Sequence, residues 1–421
     1  MKRCDFFKLI SNFVAKSYEM AGLYIHIPFC KSRCIYCAFY STTQHERMND
    51  YVDALCKEME LSIVNCQLSA RPAGTLARAR TINSIYLGGG TPSQLSPTLL
   101  RRLFHNIYKV YEVAADAEIT MECNPDDITP DYAQVIGELP INRVSMGAQT
   151  FSDERLHFLH RRHTSSLVKD AVDLLRKNGI QNISIDLMFG FPGETLQDWE
   201  QDIRDALALN VEHLSAYSLM IEEGTVLYEQ MRKETPSNSP CLGGELKSSL
   251  NREDLGESEE QEREMYETLI DRLETAGYEH YEISNFAKKG FRSRHNSSYW
   301  NGTPYIGLGA AAHSYDIETR HWNISNLQTY IERIRQGILP IEETETIDDT
   351  TRYNDLITTA LRTCEGINLT SLPPTLCDYL LENAQKNIVR HLLEITDNHL
   401  HLTRQGLFVS DDVMSDLILL D

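Results

Sequence analysis

From Leu23 to about Met220 the chain repeats one unit: a short apolar strand, a chemically unusual loop and an amphipathic helix. This alternation constrains the fold more than any other feature. A strand, a crossover helix and a second strand of the same sheet close almost always as a right-handed parallel unit. The candidate strands are Leu23–Ile27, Ile82–Leu87, Ile119–Met121, Arg143–Met146, Ile183–Met188 and His213–Leu219. Each is a short apolar or β-branched run, the pattern of strands buried on both faces. Between them, Val52, Leu55, Met59 and Ile63 recur at helical spacing, as do Leu99, Leu103, Ile107 and Val110, and Leu196, Trp199, Ile203 and Leu207. The helix around Leu167–Leu175 is expected to start after Thr164 as N-cap and to stop at Asn178-Gly179. Six units predict an α/β fold, a partial (β/α)6 barrel. An open doubly wound sheet is the competing architecture.

The loops after successive strands hold most of the unusual residues. A cysteine loop follows strand one, Gly88–Pro92 (GGGTP) strand two and Glu122–Asp126 (ECNPD) strand three. Gly147–Phe151 (GAQTF) follows strand four, and Phe189–Thr195 (FGFPGET) follows Asp186 on strand five. In a barrel the C-terminal ends of the strands share one face, and active sites form there.

The cysteine loop reads HIPFCKSRCIYCAFY and sets Cys30, Cys34 and Cys37 in the spacing C-x3-C-x2-C, with Phe39 where a fourth thiol could stand. Of ten cysteines in the chain only these three cluster. Clustered thiols in a chain this large point to metal rather than a disulfide framework, and to a reducing cytoplasm. A structural zinc site takes four protein ligands, and four-iron clusters usually take four cysteines. Three thiolates leave one iron open to a substrate or chelating cofactor. A zinc knot, or three cysteines together by chance, is the plainer reading; His26 lies on the strand just before the loop. In GGGTP, consecutive glycines let backbone N–H groups approach a ligand where a strand hands over to a helix.

With 421 residues the chain exceeds one ordinary domain. Residues 1–20 read as an N-terminal extension, with Met20 as a candidate natural start, and 21–230 as the core. Residues 231–262, polar and rich in Ser, Gly and Glu, read as a flexible insertion. Residues 263–421 form a smaller, mostly helical C-terminal α+β domain whose tail from Leu400 suggests a winged helix that packs rather than binds DNA. A formal net charge of −21 argues against nucleic acid or an anionic membrane as the main partner. No apolar run approaches the ~20 residues of a transmembrane helix.

C-x3-C-x2-C with an aromatic residue before the last cysteine, followed by GGGTP, resembles the radical S-adenosylmethionine (radical SAM) superfamily. The longer pattern of YIHIPFC, GGGTP, ECNP, GAQTF, R-x-H and DLMFGFPGET is similar to the subfamily of oxygen-independent coproporphyrinogen III oxidase and the HemW-type haem chaperones. It spans Leu23 to Tyr315, about two-thirds of the chain. The resemblance implies that Cys30, Cys34 and Cys37 hold a [4Fe–4S] cluster whose fourth iron chelates S-adenosyl-L-methionine. Tyr24 and Tyr36 match aromatic positions beside cluster and cofactor. Gly89, Gly90 and Thr91 match the turn that takes the cofactor's amino-acid end. Glu122, Gln149, Arg161 and Asp186 match polar positions around it, and Met220 a position near the adenine. Arg161 suits a carboxylate and the acids suit hydroxyls or an amine. The plainer readings are a surface ion pair for Arg161 and strand-end caps for Glu122 and Asp186.

Phe39 decides the branch. The oxidases carry an extra cysteine two residues after the third ligand, whereas HemW-type proteins have an aromatic residue, as here. His295-Asn296-x-x-Tyr299-Trp300, preceded by YEISNFA (Tyr281–Ala287), is a second HemW-like mark. A histidine beside aromatic rings suits a haem ligand as well as a core position, so His295 is the candidate for haem and His313 its weaker rival. The expected function is a haem chaperone that passes haem to apo-haemoproteins such as respiratory enzymes. The alternative is oxidative decarboxylation of coproporphyrinogen III. Implied partners are haem, an apo-haemoprotein acceptor, an electron donor and, with the cluster loaded, a second copy of the chain.

Overall fold

A computed structural model describes residues 20–68, 81–234 and 259–419. Most of the expected N-terminal extension and of the expected insertion 231–262 lies outside the described residues. The edges of that insertion are helical, since one helix runs to Glu234 and the next starts at Glu259.

Strand order separates a barrel from a doubly wound sheet. Six strands, β1 (Met20–Ile27), β2 (Thr81–Gly89), β3 (Val113–Cys123), β4 (Arg143–Gln149), β5 (Asn182–Phe189) and β6 (His213–Ser218), lie side by side in chain order, each parallel to the next. The order never reverses, so right-handed crossovers put every helix on one face and the sheet curls about the other. A doubly wound sheet needs a reversal. The helices are α1 (Met48–Leu68), α2 (Pro97–Val110), α3 (Pro130–Glu138), α4 (Asp153–Phe158), α5 (Ser165–Lys177) and α6 (Leu196–Ala208). Their apolar stripes face the sheet: Val52, Leu55, Met59, Leu99, Leu103, Ile107, Trp199 and Ile203 are all buried. Each such side chain contributes about 1.5–3 kcal/mol by leaving water. α5 follows Thr164 and ends before Gly179, which takes a φ of +93°. The Thr164 hydroxyl bonds Ser166 at 3.1 Å instead of capping the backbone.

The strands are not apolar on both faces. Leu23, Ile25 and Ile27 pack toward the helices, whereas the alternate positions form buried polar rows on the inner face. In register, Tyr24 neighbours Tyr86, Tyr86 neighbours Thr120 and Thr120 neighbours Arg143. A second row runs Glu122, Ser145, Ser184, His213, and a third Gly147, Asp186, Ser215. Residues in register share a face of the sheet, so these rows line the barrel's interior.

The barrel does not end at β6. After α7 (Val226–Glu234) and α8 (Glu259–Thr275), β7 (Glu279–Glu282) and β8 (Asn285–Ala287) cover the open edge of β6. Beyond α9 (Arg294–Trp300), β9 (Tyr305–Leu308) pairs in parallel with β1, and β10 (His313–Tyr315), β11 (Thr319–Asn323) and β12 (Ile341–Thr346) extend the sheet outward. Both edges of the six-stranded unit are thus occupied. The expected boundary at 263 falls inside α8. Leu308, Leu327, Tyr330 and Ile331 share the hydrophobic core of Leu23 and Met59, so the chain up to Thr346 belongs to the barrel body. Buried Glu58 of α1 joins the two by accepting from Tyr330 at 2.6 Å, Asn323 at 2.7 Å and the Gly309 amide at 2.9 Å. A separate core gathers Tyr353, Ile357, Leu376, Leu380, Leu400 and Met414. α10 (Leu327–Arg335) still packs in the barrel core, and the separate one is built by α11 (Asp349–Ala360), α12 (Pro374–Val389) and a hairpin of Leu393–Thr396 with His399–Leu402. No described helix is long and apolar enough to cross a membrane.

Candidate functional site

The cysteine loop leaves β1 and is fixed by its backbone. The Cys30 amide donates to Thr42 at 2.9 Å and the Thr42 amide to Pro28 at 2.7 Å. Ile35, between the second and third cysteines, is buried with Leu159, Met188, Phe191, Leu219 and Leu227. Its amide donates to Leu159 and its carbonyl accepts from Leu227 at 2.9 Å. The loop therefore holds its shape through groups other than its sulfurs. All three thiols are half-exposed and free. Thr91 donates to the Cys30 sulfur and Arg161 to the Cys34 sulfur, each at 3.5 Å. Burial pushes the Cys30 and Cys37 thiols up, while a hydroxyl or amide donor on each favours the thiolate.

This donor set fits a cluster better than zinc. No group of three His, Cys, Asp or Glu side chains among the described residues is arranged to hold one metal ion. His26 is unavailable as a fourth ligand: it points into the barrel, with Nδ1 on the Tyr24 hydroxyl at 3.0 Å and Nε2 on the Tyr40 carbonyl at 3.2 Å. Burial lowers its pKa to about 4, so it stays neutral. Phe39 stands 72% exposed and adds nothing to the core.

The glycines of GGGTP close the site from below. Gly89 has a φ of +108°, and a Cβ there would lie 2.5 Å from the His26 ring; one on Gly90 would lie 2.8 Å from the Pro28 backbone. Gly89 donates to Glu122 Oε2 at 3.1 Å, while Tyr86 donates to Glu122 Oε1 at 2.7 Å. Ser145 donates to Asp186 at 3.3 Å. Burial is the main cause that raises Glu122 to about 7 and Asp186 to about 6. Both acids face inward, and Glu122 also caps the Gly89 amide at the end of β2. Tyr24 lies one layer deeper, stacked on Tyr86 and His295 with centroids 6.3 and 6.5 Å away. Tyr36 stays in the cysteine loop, where burial raises its phenol pKa.

Among the described residues Arg161 makes no surface ion pair. Its Nη2 donates to the Gly147 carbonyl at 2.6 Å and to Asn124 Oδ1 at 2.9 Å, beside its bond to Cys34. The neighbouring Arg162 takes the carboxylates instead, Asp126 at 2.8 Å and Asp127 at 3.3 Å. Gln149 adopts a φ of +70° and folds its amide over Gly147, where a Cβ would lie 2.6 Å from Gln149 Nε2. Met220 lies just past β6, 62% exposed. Asn124 and Ile35 were not legible as site residues. Asn124 lies within ECNP with no chemical signal of its own, and only contact with Arg161 singles it out.

His295 lies apart from the surface. It is fully buried, with Nδ1 on Ser84 at 2.9 Å and Nε2 on the Tyr299 hydroxyl at 2.9 Å, under the stacked rings of Tyr24 and Tyr86. Burial lowers its pKa to about 3. Both nitrogens are engaged, so an iron could reach either only by displacing Ser84 or Tyr299. His313 is exposed on β10 and stacks on Trp322.

Comparison with known proteins agrees with this geometry. A family model described as the radical SAM superfamily matches residues 24–206. A Bacillus subtilis protein named heme chaperone HemW is 33% identical over 404 residues, covering 94% of this chain and 98% of that protein. The Escherichia coli protein of the same name is 34% identical over 69% of each chain. Among solved structures, coproporphyrinogen III oxidase (HemN) from Escherichia coli superposes with a TM-score of 0.76 at 19% identity, covering 99% of this chain and 94% of that one. This last likeness concerns the fold.

Proposed function

Because the chain belongs to the radical SAM superfamily, in the branch that holds the HemW proteins, we propose that it is a haem chaperone. It would bind a [4Fe–4S] cluster, S-adenosyl-L-methionine and haem, and deliver haem to apo-haemoproteins such as respiratory enzymes. The carrying observation is the 33% identity that extends over 98% of the Bacillus subtilis heme chaperone. Cytoplasmic location, an electron donor and a cluster-dependent homodimer belong to the same reading.

The residues divide the work by charge and reach. Cys30, Cys34 and Cys37 would ligate three irons. The bound cluster and cofactor supply reductive cleavage of a sulfonium to an adenosyl radical, chemistry that belongs to the cofactor pair. Gly89, Gly90 and Thr91 offer a close backbone approach to its amino-acid end. Arg161 presents a cation to the carboxylate, and Glu122 and Asp186 face the ammonium group and the hydroxyls, with Gln149 beside them. Tyr24 and Tyr36 flank the site, and Met220 covers its outer rim.

The raised pKa values set a pH dependence with opposite signs for binding and stability. Glu122 and Asp186 keep their protons below about 7 and about 6 and lose them above. Affinity for the cationic cofactor is expected to rise from about pH 6 to about pH 8, by up to tenfold per unit for one proton. Without cofactor the folded chain binds more protons than the unfolded chain across that window, so stability falls as pH rises. Calorimetric titration of S-adenosylmethionine into wild type and Glu122→Gln checks this. A wild-type affinity flat in pH would count against it.

The oxidase alternative is disfavoured by Phe39. Ferric haem titrated into the reconstituted protein is expected to bind stoichiometrically, while an anaerobic assay with coproporphyrinogen III yields no vinyl product. Rapid decarboxylation would reverse the assignment.

A further inference from the structure

Resting on the haem-binding reading above, we propose that the porphyrin occupies the cavity between α9 and the C-terminal core, with Arg352 binding its carboxylates. The cavity measures about 830 Å³, within the ~300–1,000 Å³ usual for small-molecule sites. Tyr299, Trp300 and Tyr305 form one wall, and Tyr353, Leu356 and Leu376 form the other. A planar macrocycle with two carboxylates on one edge needs flat apolar walls and cations at one rim.

Three arginines line the cavity: Arg292, Arg320 and Arg352. Two are committed. Arg292 pairs with Glu279 at 3.1 Å and Glu365 at 2.5 Å, and Arg320 with Asp355 at 2.6 Å and Glu345 at 3.5 Å. Arg352 donates only to the backbone carbonyls of Ile317 and Ile347, at 3.4 and 3.3 Å, and pairs with no carboxylate among the described residues. Asp348 and Asp355 act on it only from beyond ion-pair distance, so of the three it is the least committed. The buried indole N–H of Trp300 also has no hydrogen-bond partner among the described residues, and its ring is held by Arg362 at 4.9 Å.

This placement also gives the HNxxYW segment a division of labour. His295 lies outside the cavity lining, whereas Tyr299 and Trp300, one turn further along α9, form part of it. His295 holds the Tyr299 hydroxyl at 2.9 Å and so acts as a positioning residue for that wall. Tyr299, His295, Tyr86 and Glu122 form a continuous series of contacts from the cavity to the candidate cofactor site.

The test is an anaerobic titration of ferric haem, and of its dimethyl ester, into the cluster-loaded full chain, followed at the Soret band. Arg352→Glu is expected to weaken haem at least tenfold while leaving the ester, which lacks the carboxylates, unchanged. Ala360→Trp, which fills the cavity from α11, is expected to weaken both. Iron content and circular dichroism report whether each variant has folded. If wild type binds haem and both folded variants bind it equally well, the cavity assignment is overturned and the chaperone reading stands. If wild type binds no haem, the chaperone reading itself falls, and this site with it.

Discussion

Replacing Cys34 with alanine is expected to yield a folded protein that no longer holds iron. The reconstituted wild type should carry about four irons per chain and the variant well under one. Two observations make the loss chemical rather than structural. The loop is pinned by the Cys30–Thr42 and Thr42–Pro28 backbone bonds and by the buried Ile35 side chain, none of which needs a thiol. The Cys34 sulfur is held by Arg161, whose Nη2 keeps its bonds to Gly147 and Asn124 without it, and by Tyr36. Apo stability should therefore move by less than about 1 kcal/mol. A thermal melt of the apo protein and an iron assay after reconstitution check both halves. Full iron loading in the variant would show that Cys34 is not a ligand.

The barrel strands and the position of the cysteine loop after β1 were legible because they rest on short-range signals. All six strands fall where apolar runs place them, although Ile119–Met121 understates β3, which spans Val113–Cys123. The missed start of β3 reads VAADAE, in which Asp116 and Glu118 hide the buried Ala117 among polar residues. Alternation concealed the inner face. Thr120 and Ser184 sit in apolar runs, yet they are buried members of the polar rows. Hydropathy cannot tell a lumen-facing threonine from a core-facing one; register can. Arg161 and Arg162 show the same limit from the other side. Adjacent and chemically identical, they differ only because one reaches Cys34 and Asn124 while the other meets Asp126 and Asp127. One long-range pairing leaves no trace in the sequence pattern. β9 returns about 280 residues later in the chain to pair with β1, a contact without local signature.

Gly89→Ala is expected to abolish S-adenosylmethionine binding and to destabilise the chain by about 3 kcal/mol or more, the sum of backbone strain and overpacking. At a φ of +108° an L-residue is strained before any neighbour is considered. The new methyl would then sit 2.5 Å from His26 Cε1 and 2.6 Å from Nδ1. The ring has nowhere to go, since Tyr24 and the Tyr40 carbonyl hold its two nitrogens. The backbone must yield instead, and with it the Gly89 amide that binds Glu122 and the turn expected to cradle the cofactor. Gly193→Ala is the control: its φ of +72° brings strain, but a Cβ there meets nothing within 4 Å. That variant should lose only about 1 kcal/mol and keep its cofactor affinity. Adding His26→Ala to Gly89→Ala removes the clash but not the strain, so part of the lost stability should return. Denaturant titrations of the four proteins, with cofactor affinity measured alongside, separate the two causes. If Gly89→Ala binds the cofactor like wild type, the glycine turn is not part of the site, and the placement of Thr91 and Glu122 around it fails as well.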